Sequence, residues 1–212
     1  MNKLALIPLA FLVGCAAPAM DSKTLQSKYD AMKKAGFQAR GIATLARLEQ
    51  DEAQKVCSDQ SLAEGKAGEG ARKRVEEINL ASIKWPSDAV YLGDWKLGEA
   101  IAQSGRGLTW SDSATQVNGG NCYNCHQIDK AEISSGTIGP SLWNYGKIRG
   151  VTNPLAPASA PVVQYTWGKI WNAKAYNACS NMPRAGHMGI LTEVQVRHVM
   201  ALLLDPKSPV NQ

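Results

Sequence analysis

Apolar residues follow three rhythms along the chain. From Leu4 to Val13 they run unbroken except for Pro8. From residue 20 to 89 they are sparse and recur at helical spacing among many charges. From residue 90 onward they are denser and gather into short amphipathic blocks separated by Gly- and Pro-rich turns. The three rhythms predict an export signal at 1–19, a helical N-terminal extension at 20–89 and a compact helical domain at 90–212.

The opening run "MNKLALIPLAFLVGCAAPAM" is too short for a permanent membrane span and ends in small residues, as an export signal does. Two cuts are open. "LVGC" resembles a bacterial lipobox, which would make Cys15 a lipidated N-terminus. A cut after Ala19 would release a soluble protein instead. Either places the remainder outside the cytoplasm, in a periplasm, soluble or lipid-anchored.

In the extension, Ile42, Leu45, Leu48 and Val56 predict one helix across "QARGIATLARLEQDEAQKVCS". Val75, Ile78 and Ile83 predict a second, which starts after Gly68 and Gly70 and ends by Pro86. Together they read as a helical hairpin. In the main domain, "GDWKLGEAIAQSG" predicts a helix capped by Asp94, with Leu97 and Ile101 on one face and Gly98 allowing close approach. "PVVQYTWGKIWNAKAYNACS" predicts a helix near 163–171, with Tyr165, Trp167 and Trp171 walling a pocket. "LTEVQVRHVMALLLDP" predicts the strongest helix. Thr192 and Gln195 form a capping box, Leu191 can staple to Val196, and Val196, Val199, Met200 and Leu203 face the core. Pro206 ends it. "NPLAPASAP" (153–161) reads as a surface loop. The fold class is all-α.

The 212 residues carry a formal charge of +5 and an ordinary share of apolar residues, 44%. No Lys/Arg run is long enough to suggest nucleic-acid binding. The five cysteines change the picture more. Cys122, Cys125 and His126 form "CYNCH", the C-x-x-C-H attachment signal for c-type haem. Each thiol adds across a vinyl group at the porphyrin edge, and the next residue, His126, reaches the iron. A zinc site would need two more ligands at suitable spacing, and a thioredoxin-like pair would want a βαβ context. Neither is evident. Cys57 and Cys179 remain. In an oxidising compartment they are a disulfide candidate, with two buried free thiols as the alternative.

A second iron ligand is sought in "ACSNMPRAGHMGIL" (178–191). Met182 precedes Pro183, which restricts it to extended backbone. It is the first candidate, with His187 and Met188 open beside it. His198 reads as a satisfied surface histidine and Met200 as core. Methionine–histidine ligation raises a haem's potential and leaves no open coordination position, which favours electron transfer over chemistry at iron. "GTIGPSLWNYGKIRG" (136–150) places Gly139 and Pro140 in a turn after the motif. In class I cytochromes c, a proline carbonyl at this place accepts the proximal histidine N–H.

The stretches 136–150, "YTWGKIWNAKAYNACSNMPRAGHMGILTE" and "VMALLLDPKSPVN" resemble SoxX, the monohaem cytochrome c subunit of the Sox sulfur-oxidation system. The resemblance covers residues 90–212 and implies a class I cytochrome c fold with one haem c. Cys122 and Cys125 would attach the haem, and His126 and Met182 would ligate the iron. It also implies a heterodimer with a SoxA-like c-type cytochrome, a SoxYZ-like carrier protein as the substrate-bearing partner, and a small cytochrome c as acceptor. The implied activity is L-cysteine S-thiosulfotransferase, with the catalytic haem on the partner and no catalytic residue on this chain. Residues 20–89 resemble the extension of longer SoxX forms. A free-standing electron-shuttle cytochrome is the second function class left open.

Overall fold

A computed structural model describes residues 20–212; the export signal and Cys15 lie outside the described residues. Among the described residues the fold is helical, with no sheet and one isolated bridge between Arg40 and Ala43. The chain divides into two compact units, the first ending at Gln38 and the second spanning Ala39–Gln212. Residues 39–89 thus belong to the same compact unit as residues 90–212.

The described part of the first unit is helix α1, Ser22–Gly36. Asp21 caps it by accepting from the Lys23 and Thr24 N–H groups. None of its residues is buried.

In the second unit the single helix expected across residues 38–58 is broken. Leu45–Leu48 is a short 3-10 turn, and α2 begins only at Glu52 and runs to Ser58. The interruption has long-range causes. The Arg40 guanidinium lies over the Trp110 ring, 3.9 Å from its centroid, and Arg47 donates to the Leu108 carbonyl. Gly41 sits at φ +50°, with the Trp110 carbonyl oxygen 1.9 Å from where a Cβ would be. Asp51 then starts α2 with a capping box to Gln54. A short α3, Gln60–Ala63, leads to α4, Glu69–Ala81. Val75 is buried as expected, whereas Ile78 is exposed; Ile83 is buried but lies beyond the helix end. Ala53, Val75 and Ala178 form a small second core, with Val56 and Cys179 packed against it. A buried amide pair fastens α4 to the main core: Asn172 Nδ2 donates to Asn79 Oδ1 at 2.9 Å and to Ser82 Oγ at 3.0 Å.

The main core is built on α5, Trp95–Gln103, and α8, Glu193–Leu204. They start with the expected caps: Asp94 accepts from Lys96 N–H, and Thr192 forms a capping box with Gln195. They cross at Gly98, where a Cβ would stand 2.1 Å from the His198 carbonyl oxygen. The closest-packed positions of α5 are therefore Gly98 and Ala102, with Ile101 packed against the core beside them and Leu97 outside it. Leu97 is exposed and Ile101 half-buried, because a crossing this close admits only the smallest side chains. Helix α8 is buried on nearly every side from Val199 to Leu204. Short α6, Tyr145–Ile148, and α7, Ala160–Trp171, complete the unit. Trp167 is fully buried, stacks on Trp171 and donates to the Lys84 carbonyl. Tyr165, expected on a pocket wall, is instead exposed and packs edge-on against Tyr176.

Candidate functional site

The "CYNCH" segment is a tight turn. The Cys125 and His126 N–H groups both donate to the Cys122 carbonyl, at 3.1 and 2.9 Å. Residues 136–142 run back beneath it as a strap. Gly136 N–H donates to the Tyr123 carbonyl, Gly139 N–H to the Cys125 carbonyl and Leu142 N–H to the Gln127 carbonyl, at 2.7–2.8 Å. Two glycines make this approach feasible. A Cβ on Gly136 would lie 1.8 Å from the Asn124 carbonyl oxygen, and one on Gly139 would lie 2.2 Å from His126 Cε1. The imidazole therefore rests directly on the Gly139 backbone.

The strap brings the Pro140 carbonyl oxygen within 2.7 Å of His126 Nδ1. A carbonyl can only accept, so Nδ1 carries a proton, and in the neutral ring Nε2 keeps its lone pair. This is the tautomer that an Nε2-bound metal requires.

Tyr123 anchors the turn to α5. Its hydroxyl donates to Glu99 Oε1 at 2.7 Å and accepts from Asp129 N–H at 3.1 Å. Burial, and then the bond to Glu99, push the Tyr123 phenol up. Burial also pushes the Glu99 carboxyl above its usual range against the Tyr123 bond, with Asp129 and Glu132 adding to the rise. Glu99 Oε2 is buried without a partner. Neither Tyr123 nor Glu99 was singled out by sequence reasoning, because no periodicity marks a contact between a motif's variable position and a helix 24 residues earlier.

Cys122 and Cys125 are free and partly exposed as whole residues. Burial of its sulfur pushes the Cys122 thiol up to about 11, so it is a poor thiolate ligand or nucleophile at neutral pH. Among the described residues no three His, Cys, Asp or Glu side chains converge on a point where a metal ion could sit. Two thiols and an imidazole that do not share a centre suit a haem, whose links lie at the ring edge and whose iron lies at the middle. The residues present fit a c-type haem.

The loop 178–191 carries the other candidates. Cys57 and Cys179 form a disulfide, with Cα atoms 5.4 Å apart, that ties α2 to this loop. Met182 is half-buried and packs against the same core as Cys122, Leu142 and Ile190. Asn118 ties the loop to the strand of chain entering the motif: its Nδ2 donates to the Ile190 carbonyl at 3.1 Å. Met188 is 57% exposed. His187 is exposed, with Nδ1 3.1 Å from Ser82 Oγ. Partial burial and then Arg184 lower its pKa against the pull of Asp51. His198 is satisfied, since its Nδ1 accepts from Asp94 N–H at 2.9 Å, and Met200 is fully buried core. Met182 and Met188 also line an open cavity of about 500 Å³ between α2 and this loop, whose walls include neither Cys122, Cys125 nor His126.

No family model matches the chain. Among the described residues no helix is long and apolar enough to cross a membrane. The chain is 33% identical over 166 residues to an uncharacterized lipoprotein of Aquifex aeolicus (strain VF5), covering 77% of this chain and 73% of that protein. It belongs to the family of that lipoprotein.

Proposed function

We propose that this protein is a c-type cytochrome of the cell envelope, the electron-accepting subunit of a SoxAX-like complex. The observation that carries the haem reading is the seat of His126: the imidazole lies on Gly139, with Nδ1 committed to the Pro140 carbonyl and Nε2 free. The thiols of Cys122 and Cys125 would each add across one vinyl group, sulfur to one carbon and hydrogen to its neighbour. His126 Nε2 would be the proximal ligand and Met182 the distal one. Bound there, the iron would accept and release single electrons. The chain's own part is to hold the imidazole in one tautomer and one orientation and to pack core residues against the cofactor's faces. The main domain would then be a class I cytochrome c fold.

The SoxX-like stretches support the finer assignment. The partners would be a SoxA-like cytochrome, a SoxYZ-like carrier and a small cytochrome c acceptor. The activity would be L-cysteine S-thiosulfotransferase, with this chain as its electron-transfer subunit. The relative's description as a lipoprotein supports lipidation at Cys15 and a location in the periplasm.

The test is the absorption spectrum of the exported, oxidised protein beside that of Met182→Ala. Low-spin haem with a weak iron–thioether band at the near-infrared edge, lost in the variant, is the expected result. A band that survives moves the distal ligand to Met188. Protein isolated without covalent haem overturns the reading. Co-purification with a second haem protein separates a complex subunit from a free shuttle.

A further inference from the structure

The cavity between α2 and the loop 179–190 has a charge its walls do not balance. Lys174 and Arg184 both line it, together with Gln50, Gln54, Ser180 and Asn181. Lys174 is 8% exposed, and its ammonium has one partner, the Ala178 carbonyl at 2.9 Å. An ammonium carries three donors, so two are unspent. The Arg184 side chain is 10% exposed and gives Nη2 to Asp51. Its Nε and Nη1 have no protein partner, yet neither is sealed from solvent. Arg184 lines this cavity and also a smaller one beside Asp51 and His187, whereas Lys174 lines only this one of the two.

Two cations therefore meet one carboxylate, Asp51. Burial lowers the Lys174 pKa, Arg184 lowers it further and Asp51 opposes. Burying a cation beside another is costly unless a counter-charge completes the set. The wall is otherwise neutral and rich in donors: two glutamines, an asparagine and two serines line the same space. Helix α2 and the disulfide hold both sides of the opening in register.

We infer that this cavity is an anion site in which Lys174 Nζ and the Arg184 guanidinium bind the oxygens of a small oxoanion or carboxylate. Arg184 presents a planar fork and Lys174 a point charge, a pair suited to two or three oxygens on one centre. Such oxygens have two sources. One is a free anion of the sulfate or phosphate type; the other is a carboxylate of the haem proposed above. The site itself stands on Lys174, Arg184 and the cavity, and does not require the haem reading.

The experiment uses the exported full-length protein as isolated. Sulfate and phosphate are titrated by calorimetry and by thermal midpoint, against sodium chloride at matched ionic strength. Two variants accompany it. Lys174→Met keeps the buried stem and removes the charge. Asn181→Asp puts a carboxylate on the cavity wall at an exposed position, where folding is not at risk. If the anion is free, wild type binds it saturably, and each variant weakens binding about tenfold or more, the scale of one charge-assisted hydrogen bond. If the anion is the haem's carboxylate, wild type shows no specific titration. Both variants then shift the haem's midpoint potential and its pH dependence, and the protein's absorption spectrum shows the haem to be present. Neither saturable binding nor a shift in potential overturns the site. Because the first arm reads binding without reference to iron, a failure of the haem reading leaves it intact.

Discussion

Residues 122–142 close on themselves. Their shape comes from backbone bonds between near neighbours, Gly136 to Tyr123, Gly139 to Cys125 and Leu142 to Gln127, and from the His126–Pro140 contact. Residues 178–191 are held from afar. Cys179 is bonded to Cys57, 122 residues away; Arg184 pairs with Asp51, and Ala178 N–H donates to Glu76. Trp171 and Asn118 hold the loop at His187 and Ile190. One region is written in a contiguous motif and is shaped mainly by its own glycines and backbone, with the Tyr123–Glu99 bond anchoring it to α5. The other is a meeting point of distant segments, so its order depends on redox state and charge elsewhere in the chain.

The sharpest way to break this contrast is to remove the disulfide. Cys57→Ser with Cys179→Ser should cost about 4–5 kcal/mol by loop entropy, less any strain relieved. Hydrogen exchange should quicken at 178–191 while 122–142 keeps its protection. Equal loosening of both regions would erase the distinction.

Gly139→Ala is the converse experiment. The added methyl must push the His126 ring off its seat, an overpacking cost of about 1–3 kcal/mol. The slowly exchanging Nδ1 proton of His126 should disappear from the NMR spectrum, with the loop 178–191 unchanged. Pro140→Ala, which keeps the carbonyl, should leave that proton in place.

The smallest effects are in pH, with opposite signs in the two regions. Burial holds the Glu99 carboxyl above its ordinary value of 4.5 in the fold. The folded state therefore holds that proton longer, and stability falls as pH rises from 4.5 toward the folded value. Glu99→Gln should flatten that limb of the stability profile. Partial burial holds the His187 imidazole below its ordinary value of 6.5. The unfolded chain takes that proton first, so its contribution is full above 6.5 and is lost as pH falls toward the folded value. His187→Gln should flatten the acid limb. Denaturant midpoints from pH 4 to 8, on the order of two units either side of the histidine range, would show both.

The contrast also explains what sequence alone revealed. The Asp94 and Thr192 caps and the C-x-x-C-H turn were legible because their partners lie within a few residues. The crossing glycine was legible too, but its consequence was misread: apolar spacing pointed to Leu97, whereas the closest-packed positions are Gly98 and Ala102. The helix drawn through Ile42 and Leu45 failed because Trp110 and Leu108 pull Arg40 and Arg47 into another course. One local sign was present and unused: Asp51, three residues before Gln54, is a helix start. Arg184, Lys174 and Glu99 carried no sequence mark, since each takes its meaning from a partner or a cavity assembled only in the fold.

The buried sulfur of Cys122 bears on how the protein is made. Cys57, Cys122, Cys125 and Cys179 leave the ribosome as four equivalent thiols, and only one pairing leaves the C-x-x-C-H motif open. In an oxidising compartment a wrong bridge to Cys122 or Cys125 would block the haem attachment proposed above. Once the domain has closed, a thiol held near 11 offers almost no thiolate for exchange at neutral pH. The folded chain thus shields Cys122 from exchange, and the order of assembly matters most before that closure.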